Sequence, residues 1–148
     1  MRFSPRQQHR SISNRIGPRC CTINGAKVSW IVAERHVRIV KYPHPALRYK
    51  CKPLSRVDAE LKSIVQRMFD LMYEHKGIGL SANQVDLPYR LFVLNPSGDP
   101  AAKDQQMVFI NPVFLRRSGS QEDEEGCLSF PDIFAPVRRP NHVTVAAY

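Results

Sequence analysis

The sequence predicts an α+β domain, because one strongly periodic helix is followed by several short strands. Residues 57–72 carry apolar side chains at the helical spacing of three and four positions. Residues 90–95, 107–111 and 113–115 are short β-prone runs bounded by proline or glycine, and residues 142–147 alternate polar and apolar side chains. A chain of 148 residues has room for one core, so these elements are expected to form a single domain.

The predicted helix is the clearest element of the pattern. Its apolar face comprises Val57, Leu61, Ile64, Val65, Met68, Leu71 and Met72. Ser55 or Asp58 can cap the N-terminus, and Gly77 is placed to end the helix. Its methionines are expected to lie in the core rather than to contact a cofactor. Before the helix, the prolines of residues 42–54 oppose helical structure, because proline lacks an N–H group.

Residues 1–36 differ in composition from the rest of the chain. They are basic, nearly free of acidic side chains and without a sustained period, so they are predicted to be a disordered arm. The arm is interpreted either as an organellar transit peptide or as a misassigned start, and the domain as residues 37–148. Most of the net charge of +9 lies in the arm, which argues against a dedicated nucleic-acid site. No apolar run is long enough to predict a membrane span.

A glycine-rich segment follows the predicted helix directly. Residues 77–84 read GIGLSANQ, in which the glycines let a ligand's backbone approach closely and Gln84 offers both an amide donor and an acceptor. The spacing does not match a phosphate-binding P-loop. A helix end followed by a simple turn is the alternative interpretation of this segment.

A second candidate site surrounds Cys127. The four cysteines show no CxxC pair, so neither a zinc ribbon nor a disulfide framework is predicted. Cys127 lies in EGCLS, residues 125–129, behind an acidic run typical of a solvated loop. Nearby carboxylates disfavour the thiolate that covalent catalysis needs, whereas a bound divalent cation deprotonates a thiol. Metal ligation therefore suits Cys127 better than nucleophilic catalysis.

These two motifs resemble the first two of the three motifs of the peptide deformylases. The family pattern is G-apolar-G-apolar-A-A-x-Q followed by E-G-C-apolar-S, and Ser81 stands in place of the usual first alanine. Residues 42–48 and 109–112 are similar to the family's N-terminal and central strands, so the resemblance covers residues 37–148. It implies mixed, mainly antiparallel sheets around a central helix.

The resemblance also implies an activity, which is removal of the N-formyl group from the initiator methionine of new proteins. It assigns metal ligation to Cys127 and stabilisation of the oxyanion to the Gln84 side chain and the Leu128 N–H group. The implied metal is Fe(II), with Zn, Ni or Co as alternatives. The expected partners are N-formyl-methionyl peptides of nascent chains, near the ribosome. The expected location is the bacterial cytoplasm, or an organelle if the arm is a transit peptide.

The substrate is expected to bind in extended form along the main chain. By resemblance, Ile78, Gly79 and Gly126 are the residues that pair with it. Recognition of this kind reads the peptide backbone more than its side chains.

The third family motif, HExxH, is absent from the sequence. In the family it supplies two metal ligands and a general base, and catalytic metal sites generally use three protein ligands. Metal binding is therefore expected to be weak or absent. Without this motif helix, the apolar faces of the predicted helix and strands are expected to be exposed. The chain is expected to be C-terminally truncated and, alone, inactive and aggregation-prone.

Two alternatives remain open. One is a truncated, non-catalytic protein that binds peptides or associates with the ribosome. The other is a thiol hydrolase in which Cys127 is the nucleophile and His142 is the base.

Overall fold

The computed structural model describes residues 37–148, and the predicted arm of residues 1–36 lies outside the described residues. The regular elements are α1 (Ala59–Glu74), β1 (Gly79–Ser81), β2 (Leu91–Leu94), β3 (Met107–Ile110), β4 (Val113–Ser118), β5 (Gln121–Cys127), β6 (Phe130–Arg139) and β7 (His142–Ala146). Short 3-10 helices span Pro45–Arg48, Ala82–Val85 and Lys103–Gln105. One helix with mainly antiparallel strands confirms the predicted α+β class.

The helix α1 starts where the sequence predicted and buries the predicted face. Asp58 caps it, because its side chain accepts a hydrogen bond of 2.9 Å from the Leu61 N–H group. Its buried side chains are Leu61, Met68, Phe69, Leu71 and Met72. The methionines are core residues, as predicted. The expectation that this face is exposed was wrong for these buried residues. Ile64 and Val65 are half-buried, and Val57, which precedes the helix, is 59% exposed.

The residue that ends α1 differs from the one that the sequence predicted. Lys76, not Gly77, takes the left-handed conformation that closes the helix, with a φ of 56°. Gly77 leaves space for Leu128 instead, because a Cβ atom at Gly77 would lie 2.7 Å from Leu128 Cδ1 and the Leu128 side chain would have to shift. The glycine after the helix therefore lets the EGCLS segment pack closely against the helix end.

The strands form three antiparallel sheets, of which the first packs against the core. The first contains β1, β2 and β3 in that order, the second pairs β4 with β7, and the third pairs β5 with β6. Leu80 of β1, Val93 of β2 and Ile110 of β3 pack against α1 in a single buried cluster. The side chains of β7 alternate between exposed and half-buried, as the sequence pattern predicted for that strand.

The acidic run is a strand rather than the solvated loop that the sequence suggested. It forms β5, in which Glu122 lies directly opposite Arg138 of β6, with an N–O distance of 3.7 Å. Opposite charges across an antiparallel pair stabilise the pairing. This cross-strand complementarity lets so acidic a segment form a strand.

Apolar side chains of β4 are exposed, as expected from the sequence, and so are those of β6, a strand that the sequence did not predict. They are Val113, Phe114, Leu115, Ile133 and Phe134. Whether they cause aggregation stays a prediction. No helix in the described part of the chain is long and apolar enough to cross a membrane.

Asn95 organises the polar connection between β2 and β3. Its side chain is fully buried, and its Nδ2 group donates to Tyr73 Oη at 2.8 Å and to the Asp99 carbonyl oxygen at 3.0 Å. Its Oδ1 atom accepts hydrogen bonds from the Ser97 N–H and hydroxyl groups. A single buried amide thus fixes the loop after β2 and ties it to α1.

Candidate functional site

The hairpin of β5 and β6 presents Cys127 at its tip. Leu128 and Ser129 form the turn, and Cys127 lies opposite Phe130. Residues 131–133 have no partner on β5, so the hairpin bulges beside the cysteine. The thiol of Cys127 is free and exposed. The turn and the bulge therefore direct the Cys127 side chain outward instead of into the core.

Gln84 approaches this thiol from the 3-10 helix that follows β1. Its Nε2 group lies 3.7 Å from Cys127 Sγ and 3.4 Å from Ser129 Oγ. Its Oε1 atom accepts hydrogen bonds from the Ser81 N–H group at 2.9 Å and the Ser81 hydroxyl at 2.8 Å. The amide oxygen is therefore held by Ser81, and the donor end of the amide faces Cys127.

An extended segment before the first 3-10 helix connects the two motifs. The Val40 N–H group donates to the Gln84 carbonyl oxygen at 2.8 Å, and the Tyr42 N–H group donates to the Ser129 carbonyl oxygen at 2.9 Å. The Tyr42 ring also stacks on Phe130, with 5.0 Å between the ring centroids. These bonds hold the two motifs in a fixed relation.

Ile78 and Gly79, two residues predicted to pair with the substrate main chain, differ in whether their main-chain groups are already hydrogen-bonded. The Ile78 carbonyl oxygen already accepts a hydrogen bond of 2.9 Å from the Asn95 N–H group, so it is turned into the sheet. Main-chain groups alternate in direction along a strand, so those of Gly79 face the open edge of β1. Of the two, Gly79 is better placed to pair with an added strand, and both assignments stay predictions.

Gly126 and Leu128 flank the cysteine in different environments. Gly126 lies opposite Phe134, and a Cβ atom at Gly126 would lie 2.8 Å from Phe134 Cε1. The Leu128 side chain packs against the core, which anchors the turn that carries its N–H group. The roles predicted for both residues, main-chain pairing at Gly126 and oxyanion binding at Leu128, stay predictions.

Glu125, beside Gly126, forms a paired hydrogen bond with Arg139. The Arg139 Nε and Nη2 groups donate to its two carboxylate oxygens at 2.8 and 2.7 Å. These hydrogen bonds lower the pKa of Glu125 below its ordinary value. The pair joins the end of β5 that carries the site to the far end of β6.

Replacing Glu125 with glutamine is expected to lower the free energy of unfolding at pH 7 by less than about 1 kcal/mol, because the pair is largely exposed. Since the folded-state pKa is lowered, the pair stabilises the fold above pH 4.5, and this contribution is lost as the pH falls toward the folded-state pKa. Urea denaturation of both proteins at pH 7 and pH 3 measures the effect. An equal difference at both pH values would contradict this origin.

The site contains one candidate ligand, Cys127, for the metal that the resemblance implies. Among residues 37–148, no group of three His, Cys, Asp or Glu side chains is placed to hold a metal ion. Cys127 suits a single metal ligand, being a free and exposed thiol. The described residues do not complete a metal centre. The thiol-hydrolase alternative gains no support either, since the side chain hydrogen-bonded to Cys127 is Gln84 rather than His142.

The fold and site together define an α+β protein in which an oriented carboxamide faces a free thiol at a hairpin tip. The family model for polypeptide deformylase matches residues 36–148. The chain therefore belongs to the peptide deformylase family.

Individual relatives agree with this assignment. A peptide deformylase of Rhodopirellula baltica is 46% identical over 110 residues, which cover 74% of this chain and 54% of the relative. The chloroplastic or mitochondrial peptide deformylase 1B of Arabidopsis thaliana is 45% identical over 115 residues, which cover 77% and 42%. The chain thus spans about half the length of these relatives.

Solved structures show the same fold. A plant peptide deformylase crystal structure superposes with a TM-score of 0.72 at 46% identity, covering 75% of this chain and 60% of that chain. A Plasmodium falciparum peptide deformylase gives a TM-score of 0.72 at 43% identity, covering 75% and 65%.

Sequence reasoning missed several residues that position the site. Ser81 was interpreted only as a small side chain, and Val40, Tyr42 and Ser129 received no role. The signal for Ser81 was a hydroxyl three residues before a glutamine, the spacing of a capping box. The hydrogen bonds of Val40 and Tyr42 are made by main-chain groups, which leave no signal in the sequence.

Proposed function

We propose that the protein is a metal-dependent peptide deformylase that acts on N-formyl-methionyl peptides. Membership of the family supports this proposal. The observation that carries it is the orientation of Gln84, whose donor end faces Cys127 while its oxygen is held by Ser81. A carboxamide donor in this position suits the carbonyl oxygen of a formyl group, on which negative charge develops during hydrolysis.

The described residues account for the part of the site that binds and orients the substrate. Gln84 Nε2 would donate to the formyl oxygen, with the Leu128 N–H group as the second donor. Gly79 and Gly126 would pair with the peptide main chain in extended form. A divalent metal, when bound with Cys127 as one ligand, would supply an activated water. Fe(II) as that metal stays a prediction.

Binding and turnover test this proposal separately. The purified chain is titrated with a short N-formyl-methionyl peptide and with the same peptide bearing a free amine, and formate release is measured with and without added Fe(II). We expect the formylated peptide to bind about tenfold more tightly, the effect of roughly one additional hydrogen bond. Equal affinity for the two peptides would contradict the proposed substrate class.

Formate release decides between the deformylase and the peptide-binding alternative. Metal-dependent release that is lost in Cys127→Ala would support a complete deformylase and contradict the expectation that the chain alone is inactive. Selective binding without release would favour the non-catalytic peptide-binding protein. Proximity to the ribosome stays a prediction. So does the location, since the relatives include bacterial and plant organellar proteins.

A further inference from the structure

Ser81 makes two hydrogen bonds with the Gln84 side chain, and as a result the oxygen and the nitrogen of the Gln84 amide differ in how well they are hydrogen-bonded. Oε1 accepts from both the N–H and the hydroxyl of Ser81, at 2.9 and 2.8 Å. Nε2 has only long contacts, 3.4 Å to Ser129 Oγ and 3.7 Å to Cys127 Sγ. The acceptor end is thus satisfied, and the donor end is free to strengthen a bond to an incoming oxygen.

The main-chain donor sets the direction of the amide. If the Gln84 amide turned over, its Nε2 group would meet the Ser81 N–H group, and two donors would oppose each other. The hydroxyl then adds a second bond to the same oxygen. Hydrogen bonds accepted by an amide oxygen polarise the amide and strengthen its N–H groups as donors.

The hydroxyl proton of Ser81 has two candidate acceptors, one on Gln84 and one on Asn83, so Asn83 also takes part in the arrangement. Ser81 Oγ lies 2.7 Å from Asn83 Oδ1 and 2.8 Å from Gln84 Oε1. A hydroxyl carries a single proton, so it cannot donate fully to both. All three groups are satisfied if the oxygen and nitrogen of the Asn83 amide exchange places, because Nδ2 then donates to Ser81 Oγ. The Ser81 proton is then directed to Gln84.

We propose that Ser81, oriented by Asn83, is a positioning residue that holds the Gln84 amide with its donor toward Cys127. This inference rests on the proposed function for its catalytic meaning, but the hydrogen-bond chain itself stands on the geometry. An alanine at position 81, the usual residue of the family pattern, keeps the main-chain bond to Gln84 Oε1 but cannot form the hydroxyl bond. The positioning device is therefore a feature of this sequence.

The test uses the complete 148-residue chain labelled with ¹⁵N and three variants, Ser81→Ala, Ser81→Thr and Asn83→Asp. One readout is the ¹⁵N relaxation of the Gln84 side-chain amide, whose signal is assigned by its loss in Gln84→Met. The other is the preference for the formylated over the free-amine peptide. Denaturation midpoints are measured for every variant, so that a loss of folding is recognised.

We expect Ser81→Ala to loosen the Gln84 amide on the picosecond-to-nanosecond timescale and to lower the formyl preference about threefold, within the range for one neutral hydrogen bond. Ser81→Thr keeps a hydroxyl and is expected to preserve both readouts. Asn83→Asp can only accept, so it should draw the Ser81 proton away and resemble Ser81→Ala. Asn141→Asp, a change of the same chemistry at an exposed position, is the control and should change neither readout.

Two results would overturn the inference. One is a Gln84 amide in Ser81→Ala that is as ordered as in the original chain. The other is a Ser81→Thr variant that behaves like Ser81→Ala, since the hydroxyl would then not be the cause. If the original chain shows no formyl preference, the proposed substrate class fails, while the relaxation of the Gln84 amide still decides whether Ser81 positions it.

Discussion

Replacing Gln84 with methionine is expected to remove the preference for formylated peptides. When the chain is loaded with metal and releases formate, the same replacement is expected to lower kcat about 10²–10³-fold. Methionine keeps the length of the side chain but lacks a donor. The lost bond is one that strengthens as charge develops on the formyl oxygen, so kcat should fall more than KM rises. Formate release at several peptide concentrations measures both constants.

The matched control is Gln66→Met on the surface of α1. Gln66 is exposed, and its side chain bonds only to Asp70 on the same helix, so kcat and peptide affinity should not change. Metal content should be the same in both variants, because Gln84 is not proposed as a ligand. Unchanged kcat and peptide affinity in Gln84→Met would rule out the oxyanion role for this residue.

Replacing Asn95 with alanine is expected to lower the free energy of unfolding by about 3–5 kcal/mol, a large part of the stability of a small domain. The side chain is fully buried, so its removal leaves a cavity, and several partly buried polar groups lose their partner. These include the Asp99 carbonyl oxygen and the Ser97 N–H group. The urea denaturation midpoint, with an unchanged m value, measures the loss.

Two further variants separate the contributions at Asn95. Tyr73→Phe removes one acceptor of the Asn95 Nδ2 group, which retains the Asp99 and Ala102 carbonyl oxygens. It also removes the acceptor of the Gln106 Nε2 group, and it should cost about 1 kcal/mol. Asn141→Ala, at an exposed position, should stay within about 0.5 kcal/mol of the original chain. A cost at Asn95 no larger than that at Asn141 would show that the buried network does not stabilise the loop.

The helix, its core methionines and several strands were predictable because their signals are local. The apolar period of α1 identified its buried face, and the β-prone runs identified β2 and β3. The hairpin of β5 and β6 was not predicted. Its stabilising pairs, such as Glu122 with Arg138, join residues far apart in sequence, so the complementarity is visible only once the register is known.

The main residues of the candidate site were predictable from the sequence, but their placement relative to one another was not. Gln84 and Cys127 were selected through the resemblance, and the structure brings them within 3.7 Å of each other. The sequence spacing of the two residues does not predict that they lie close together, because their proximity depends on how separate elements pack. The role of Ser81 depends on two hydrogen bonds to one oxygen atom, and those require coordinates.

The extended segment that carries Val40 and Tyr42 has a consequence for the order of folding. Tyr42 and Ser129 are about ninety residues apart in sequence, so their hydrogen bond closes a long loop at a high entropic cost. Helix and hairpin contacts are far more local, and we expect them to form earlier. We therefore expect the Gln84 and Cys127 motifs to acquire their relative placement in a late, cooperative step of folding, after the helix and the hairpin have formed.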